Sequence, residues 1–597
     1  MRIVIDGKTA VLKNGTSFDM VSENRAFSGA DSYTLSIIFP LRGCPENIDI
    51  FGHLNRIDVD NSKVRFDCEI FDVDFYSAGT ITIVETNEVE VKTQFLEGRS
   101  AQNFDTTFDD IYINELDLGE YPEYSLSNNP ATYWKGIEAG QESIALPWVI
   151  NSSGNIQNEV VYVEGDYAYH EDCNGLSFQP YLIIIVKRIC NALGYDYDIL
   201  QWEKCEDLRC LIICNTLPHS WNISQFARAL PHWSVTEFFE KLEQFLGGEF
   251  DINHKSKFIK FVFTANALKE TPPVLIEDVV DDYNSNITSE DESGYVELAN
   301  VKYKDCDNSV WKFYSCPWFI ADNISNRVEY ETFEALVAEN KMFAKVQRYG
   351  RNSNVNKILY AKDIDTHFII RCVSKEEVET RPTGLIVYDY NCVLQPINVF
   401  GPRVIDEDSD NEIELEFVPA WIDETDSSKG KCLFLDFDDY SEEVIDASRP
   451  DDTTTLRGEN TTLYQPIAMQ QLLKGEQTTE KAEYYDCIYV AFWDGTNLNN
   501  GKLPSPTIDK VSIYEDWSYI ETPYSLRISN GILKQQMYNI DPKQKFNFSF
   551  IYNGMPNVRS LFFISGKKYI CAKITTTITE NGMSQLKKGE FYRILDE

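Results

Sequence analysis

Positive charge is scarce in this chain. Across 597 residues, 54 lysines and arginines face 95 aspartates and glutamates, a formal net charge of −41. Phosphate backbones would be repelled, so broad or specific nucleic-acid binding is not expected. Long apolar runs are absent too. The most apolar helical stretch, Tyr181 to Val186, meets Lys187 and Arg188 at once, far short of the roughly 20 residues a membrane helix needs. At the N-terminus Asp6 falls where a signal peptide requires an apolar run. The expectation is a chain made in a cytoplasm with no membrane segment. Histidine is rare, with six copies, none in a His-Glu-x-x-His pattern. There is no Gly-x-Ser-x-Gly elbow, no P-loop and no Gly-x-Gly-x-x-Gly. His53 beside Gly52 and His232 beside Trp233 read as structural or solvated.

Fourteen cysteines fit a reducing compartment, where they act as small buried hydrophobes. Cys205, Cys210, Cys214 and His219 are the one cluster with metal-like looks. They lack a Cys-x-x-Cys pair, and Cys210 to Cys214 reads as a buried strand, so core cysteines are expected over zinc. Asp406, Asp408 and Asp410 imitate the start of a calcium loop. Asn411 stands where that loop needs Gly and Phe417 where it needs Glu, so a solvated loop is expected. No catalytic, cofactor-binding or metal residue is nominated, no cofactor is expected, and the chain reads as a non-enzyme.

Apolar residues are plentiful: 43% hydrophobic and 13% aromatic, enough for several cores and against whole-chain disorder. The stretch Trp233 to Phe263 carries the clearest pattern. Ser234 and Glu237 form a capping box. Val235, Phe238, Phe239, Leu242, Phe245 and Leu246 recur at helical spacing, and Gly247-Gly248 ends the helix. Phe250 and Ile252, then Phe261 and Phe263, alternate along a hairpin turning at His254-Lys255-Ser256. A second helix is predicted near 178–193, with Ser177 before it and Pro180 in its first turn. A third is predicted from Thr332 to Phe343.

Residues 1 to about 100 read as short strands. Asp6-Gly7 turns the first hairpin. Tyr33 to Phe39, Val64 to Ile70, Ile81-Ile83 and Val89-Val91 alternate, which suggests an antiparallel barrel or sandwich. The fold class is α+β, mostly β, multi-domain, with small antiparallel β-barrels and an α+β domain holding the helix–hairpin unit. The expected division is 1–100, an N-terminal barrel; 101–130, a connector; 131–290, the α+β domain; 291–305 with 521–597, a discontinuous second barrel; and 306–520, an inserted β-rich region. Tyr295 to Tyr303 is predicted as one strand, residues 360 to 440 as mostly strand, 447 to 462 as a loop, and Tyr485 to Trp493 as a β segment.

A weak internal echo links the two ends. Phe39-Pro-Leu-Arg-Gly43-Cys-Pro45 resembles Phe550-Ile-Tyr-Asn-Gly554-Met-Pro556. Chance and a duplicated barrel both account for it. Charge is uneven as well. Residues 401–452 hold 18 acids and 4 bases, and residues 501–597 hold 13 bases and 9 acids. Two solvated surfaces or a docking pair are both consistent with this.

The pattern Asp6-Gly7, Phe27 to Leu41, Cys68-Glu-Ile70, the helix–Gly-Gly–hairpin unit and the closing Lys567 to Cys571 through Gly589 to Arg593 resembles tail proteins of prophages in gut bacteria. These in turn resemble the baseplate hub, or tail-tip, protein of tailed phages and contractile injection systems. That resemblance implies a homotrimer in the virion tail, with two small barrels per chain and partners among tube, distal tail and other baseplate proteins. The chain departs from a minimal hub in the roughly 200 residues between its expected barrels, and no lysozyme or peptidase module is appended. A carbohydrate-binding adhesin or tail-fibre module is the alternative, since 33 tyrosines and 10 tryptophans could stack on sugars. A glycoside hydrolase ranks third. It needs two carboxylates in a cleft, and acidic pairs are too common here to nominate one.

Overall fold

The computed structural model describes, short stretches excepted, residues 1–97, 108–121, 144–304, 327–348, 358–397, 413–423, 432–435, 487–493 and 505–595. The expected calcium-like loop at 406–410, the loop at 447–462, His219, and residues 101–107 and 122–129 of the connector lie outside the described residues. The architecture is α+β and mostly β, as expected: short helices and several small sheets accompany one 14-stranded sheet that carries both ends of the chain.

The N-terminal unit is built from β1 (Arg2–Ile5), β2 (Lys8–Ala10), β3 (Ser17–Glu23), a helical turn α1 (Arg25–Ser28), β4 (Tyr33–Thr34), β5 (Ile37–Pro40), α2 (Pro45–Phe51), β6 (Arg65–Asp72), β7 (Phe75–Thr86) and β8 (Glu90–Glu97). Asp6 and Gly7 take φ 46° and 77°, the doubly left-handed geometry of a tight hairpin turn. Alternation then places Ile3, Ile5, Phe39, Phe66, Ile81, Val91 and Phe95 in one core. Ring contacts of 5.4 Å from Phe51 to both Phe39 and Phe66 seat α2 on that core.

The middle unit centres on α3 (Leu182–Leu193) and α4 (Val235–Leu246), with the hairpin β9 (Gly248–Asn253) and β10 (Phe258–Phe263). The capping box is present as predicted. Glu237 N–H donates to Ser234 Oγ at 3.1 Å, and Ser234 N–H donates to Glu237 Oε2 at 2.7 Å. Gly247 ends α4 at φ 64°. A Cβ there would also meet Gln536 Cβ at 2.5 Å, so both backbone conformation and close approach require glycine. Phe250 pairs with Phe261 across the hairpin, and both are buried with Phe238 and Phe239. The helix predicted near 178–193 begins later than its signals imply. Gln179–Pro180 is extended and pairs with Ile144–Ala145. The reason is a buried amide network: Gln179 and Asn215 bond one another, and Asn158 bonds Ser177, so Ser177 serves this network and not a helix cap. The predicted 332–343 helix is observed as Phe333–Asn340, capped by Thr332.

The C-terminal unit uses β11 (Val274–Ile276), β12 (Asn284–Ile287), β13 (Ile540–Ile551), β14 (Leu561–Ile564), β15 (Lys567–Thr579) and β16 (Gly582–Ile594). Its order is β11-β14-β15-β16-β13-β12. One stretch of chain, 274–287, therefore meets both outer strands of this sheet. That stretch takes the place expected of Tyr295–Tyr303. The latter is a 3-10 turn at Leu298–Asn300 followed by a strand of only Val301–Tyr303, which pairs with Ile413–Leu415. Tyr295 still reaches the C-terminal unit, because Tyr538 N–H donates to its hydroxyl at 2.6 Å.

The internal echo marks a shared topology. The N-terminal order β6-β7-β8-β5 recurs as β14-β15-β16-β13, all antiparallel. Register agrees: Phe39 pairs with Val91 as Phe550 pairs with Lys587. Leu41 N–H donates to Val89 O at 2.7 Å as Tyr552 N–H donates to Gln585 O at 2.9 Å. The units join edge to edge, β3 pairing with β15 from Ser17↔Thr579 to Glu23↔Lys573.

Candidate interaction site at the junction of the units

Three units meet around Arg25. The β3 strand delivers α1 to the junction, the β9 strand delivers Glu249 and Asp251, and the turn after β13 delivers Arg559. Arg25 Nη1 lies 3.0 Å from Asp251 Oδ1 and donates to Phe250 O at 3.2 Å. Arg559 lies 2.8 Å from Glu249 and 3.1 Å from Asp251. Two guanidiniums thus alternate with two carboxylates at the place where separate stretches of sequence converge. Arg25 and Glu249 are nearly buried, with side chains 6% and 11% exposed. Burial opposes ionisation of Asp251, yet Arg559 and then Arg25 outweigh it and hold its carboxyl below the usual carboxylate range. Arg559 is raised in turn, the attraction of Glu249 and Asp251 exceeding the penalty of burial.

Aromatic rings close one side. Phe27 stacks on Tyr592 at 5.0 Å and touches Tyr295 at 5.3 Å, while Tyr538 stacks near Tyr295 at 6.1 Å. Burial pushes the Tyr538 phenol well up. A cavity of about 520 Å³ opens beside the cluster, lined among others by Arg25, Glu240, Glu243, Gln536 and Met537. Its carboxylates are engaged: Glu243 accepts from Phe250 N–H at 2.5 Å, and Glu249 holds Arg559. What the geometry does is lock three units in one orientation. Convergent charge pairs fix orientation and register more than they add affinity.

Sequence reasoning nominated none of these residues, since each lies in a different stretch and no spacing connects them. Asn47 was missed as well. Fully buried on α2, it donates to Val11 O at 2.8 Å and to Pro40 O at 2.7 Å, and accepts from Val11 N–H at 2.9 Å. One amide thereby ties the chain beyond β2 to the end of β5.

His53 is exposed. His232 stacks on Tyr112 at 3.9 Å and bonds Asn114 at 3.1 Å. Cys214 is buried in the strand Leu211–Cys214, as predicted, whereas Cys210 ends the 3-10 turn Leu208–Cys210, half-buried, and donates to Glu206 O at 3.3 Å. Among the described residues no group of three or more His, Cys, Asp or Glu could hold a metal ion, and no helix is long and apolar enough to cross a membrane. Nine described cysteines are free thiols. Phe417, the last position of the calcium-like pattern, is fully buried against Phe245 at 5.3 Å.

No protein-family model matches the chain, and no curated protein does. Solved structures do. The chain is similar to the 43 kDa tail protein of prophage MuSo2 from Shewanella oneidensis, at 8% identity and TM-score 0.28, over 99% of this chain and 97% of that one. It is also similar to the E. coli c3393 protein, a type VI secretion component with structural similarity to the T4 bacteriophage tail proteins gp27 and gp5. There the values are 9% identity and TM-score 0.18, over 70% of this chain and 81% of that one. A tail protein from Neisseria meningitidis MC58 aligns at 8% identity and TM-score 0.17, over 66% of this chain and 95% of that one.

Proposed function

We propose that this chain is a structural part of a phage or prophage tail, a baseplate hub or tail-tip protein that forms a ring at the end of the tail tube. The single observation that carries the reading is the repeated four-strand unit, β6-β7-β8-β5 and β14-β15-β16-β13, joined side by side through β3 and β15. A chain carrying two like units presents two like surfaces. Three such chains then offer six, so a homotrimer matches a sixfold tube, a constraint imposed by the closure of rotational symmetry. The ring would comprise residues 1–97 as one barrel and 274–287 with 540–594 as the other, with the middle unit and the 306–520 region outside it. Tube, distal tail and other baseplate proteins are its partners, and the role is non-enzymatic. The locked junction at Arg25 suits a load-bearing ring, whose units must keep their mutual angle. An adhesin needs exposed aromatic platforms. The described rings mostly fill cores, as Phe238, Phe239, Phe250, Phe550 and Phe591 do.

Mass measurement in solution followed by negative-stain imaging of the purified chain tests this. Trimeric rings with six peripheral lobes support it. A monomer at every concentration, also in the presence of the matching tube protein, overturns it.

A further inference from the structure

The repeat puts Val91 and Lys587 in the same place. Each faces a phenylalanine across the sheet, Phe39 in one unit and Phe550 in the other. Four residues on, Phe95 and Phe591 are both fully buried. Val91 is a core residue, and Lys587 is buried just as fully, at 0% exposure. An ammonium carries three donors and no acceptor. Lys587 Nζ donates to Thr576 Oγ1 at 2.9 Å and to the Ser584 carbonyl, and is paired with no carboxylate among the described residues.

Among the described residues its surroundings hold no counter-charge. Its cross-strand partners are Phe550 on β13 and Thr576 on β15, and alternation puts Gln585 on the same face of its own strand. Lys588 and Glu590 fall on the opposite face by alternation, where Glu590 pairs with Lys545 at 3.5 Å. Glu580, in the turn of the β15–β16 hairpin, lies outside the described residues; among the described residues the charged groups at that tip belong to the N-terminal unit. Asp72 accepts from Met583 N–H at 2.8 Å and lies 3.5 Å from the amino-terminal ammonium of Met1. Gly582, at φ 115°, lets the tip sit against Asp72, where a Cβ would meet its Oδ2 at 2.9 Å.

We infer that the β15–β16 hairpin end is built to open, with Lys587 as the group that drives it and the Asp72 contact between the two units as what is released. The physical reason is a mismatch of solvation. A buried ammonium with an unmet donor gains its full hydration only when the strands part. Burial pushes the Lys587 amine down to about 8, against about 10.4 for an exposed lysine. The closed hairpin thus binds fewer protons than the open one between those values, so opening becomes harder as pH rises through that window and is insensitive to pH well below it. This inference is independent of the tail reading.

Hydrogen exchange of the full chain, corrected for intrinsic rates, tests it at about pH 7.5, 8.5 and 9.5. In the wild-type chain the opening constant of peptides spanning 576–590 should fall roughly threefold over the first step and roughly sevenfold over the second. Lys587→Met should be closed at all three values, and Lys587→Arg, charged throughout, open at all three. Peptides ending at Asp72 should gain and lose protection together with the hairpin. A pH-independent opening in the wild type, or the same slope in Lys587→Met, overturns the inference. An Asp72 segment that stays protected while the hairpin opens overturns the coupling. If Lys587→Arg does not fold, Lys587→Gln, which has no charge to titrate, must show no slope.

Discussion

Phe239 lies fully buried on α4, 4.6 Å from the Phe250 ring. Truncation to alanine leaves a cavity that a helix pinned at both ends cannot collapse. Phe239→Ala should therefore cost about 3–5 kcal/mol, read as faster local opening of 235–263 by hydrogen exchange, because a chain of several units does not melt in one step. A loss below about 1 kcal/mol would show that this ring does not organise the middle unit. Arg25 acts through charge. Arg25→Met leaves Glu249 and Asp251 with Arg559 alone, and removing one partner from a nearly buried set should destabilise the junction by about 3 kcal/mol. The sign with pH follows from Asp251. Its folded carboxyl is held low, so its contribution is complete above about 4, the unfolded value, and is lost as pH falls through the folded one. Acid titration of wild type and Asp251→Asn, read by protection of β9, should converge below that range. Divergence there would remove the assignment.

Among the elements, α4 was legible from sequence to its cap, and α3 in all but its start. Ser234 and Glu237 sit three residues apart on a helix with one apolar face, so local chemistry and tertiary packing agree. Ser234→Ala should cost about 1 kcal/mol, within the usual 0.5–2 range for an N-cap, measured on the same α4 peptides. Ser177 and Pro180 carry equally good start signals for α3, and they misled. The backbone of Ser177 and Phe178 is claimed by Asn158 and Asn215, which lie 19 and 38 positions from Ser177. No local window contains that competition. The Tyr295 stretch failed for a similar reason. Alternation marked it as strand, while Tyr538 drew Tyr295 out of any ladder and left three residues to pair.

At the scale of the molecule, the basic character of residues 501–597 and the acidity of 401–452 bear on assembly. If the chain closes into a ring, complementary patches should set association rate and register, and should weaken with ionic strength as the screening length falls from about 10 Å at 0.1 M to about 3 Å at 1 M. Sedimentation at low and high salt should show slower or reduced assembly at high salt. A ring that assembles faster in salt would assign the interface to apolar contact instead. The nine free thiols described extend to a chain-wide expectation. Thiol counting under denaturing conditions with oxidation blocked should find all fourteen cysteines, and bonded pairs would place the protein in an oxidising space.

The sequence alone determined the local units of this protein: the capped helix, the Asp6-Gly7 hairpin, the period-two strands and the poverty of catalytic and metal-binding patterns. These follow from steric and hydrophobic rules that act within a few residues. It also held the echo of Phe39 to Pro45 in Phe550 to Pro556, without the means to choose duplication over chance. Only the tertiary structure shows that the two stretches occupy the same place in a repeated four-strand order, because such an order is a matter of which strands pair, and pairing is decided by burial summed over the whole core. The same holds for Arg25, Glu249, Asp251 and Arg559, which become one cluster through chain separations as long as 308 residues. It holds for Lys587 too, an ordinary surface residue by composition until its strand turns that side chain into the core position held by Val91 in the other unit.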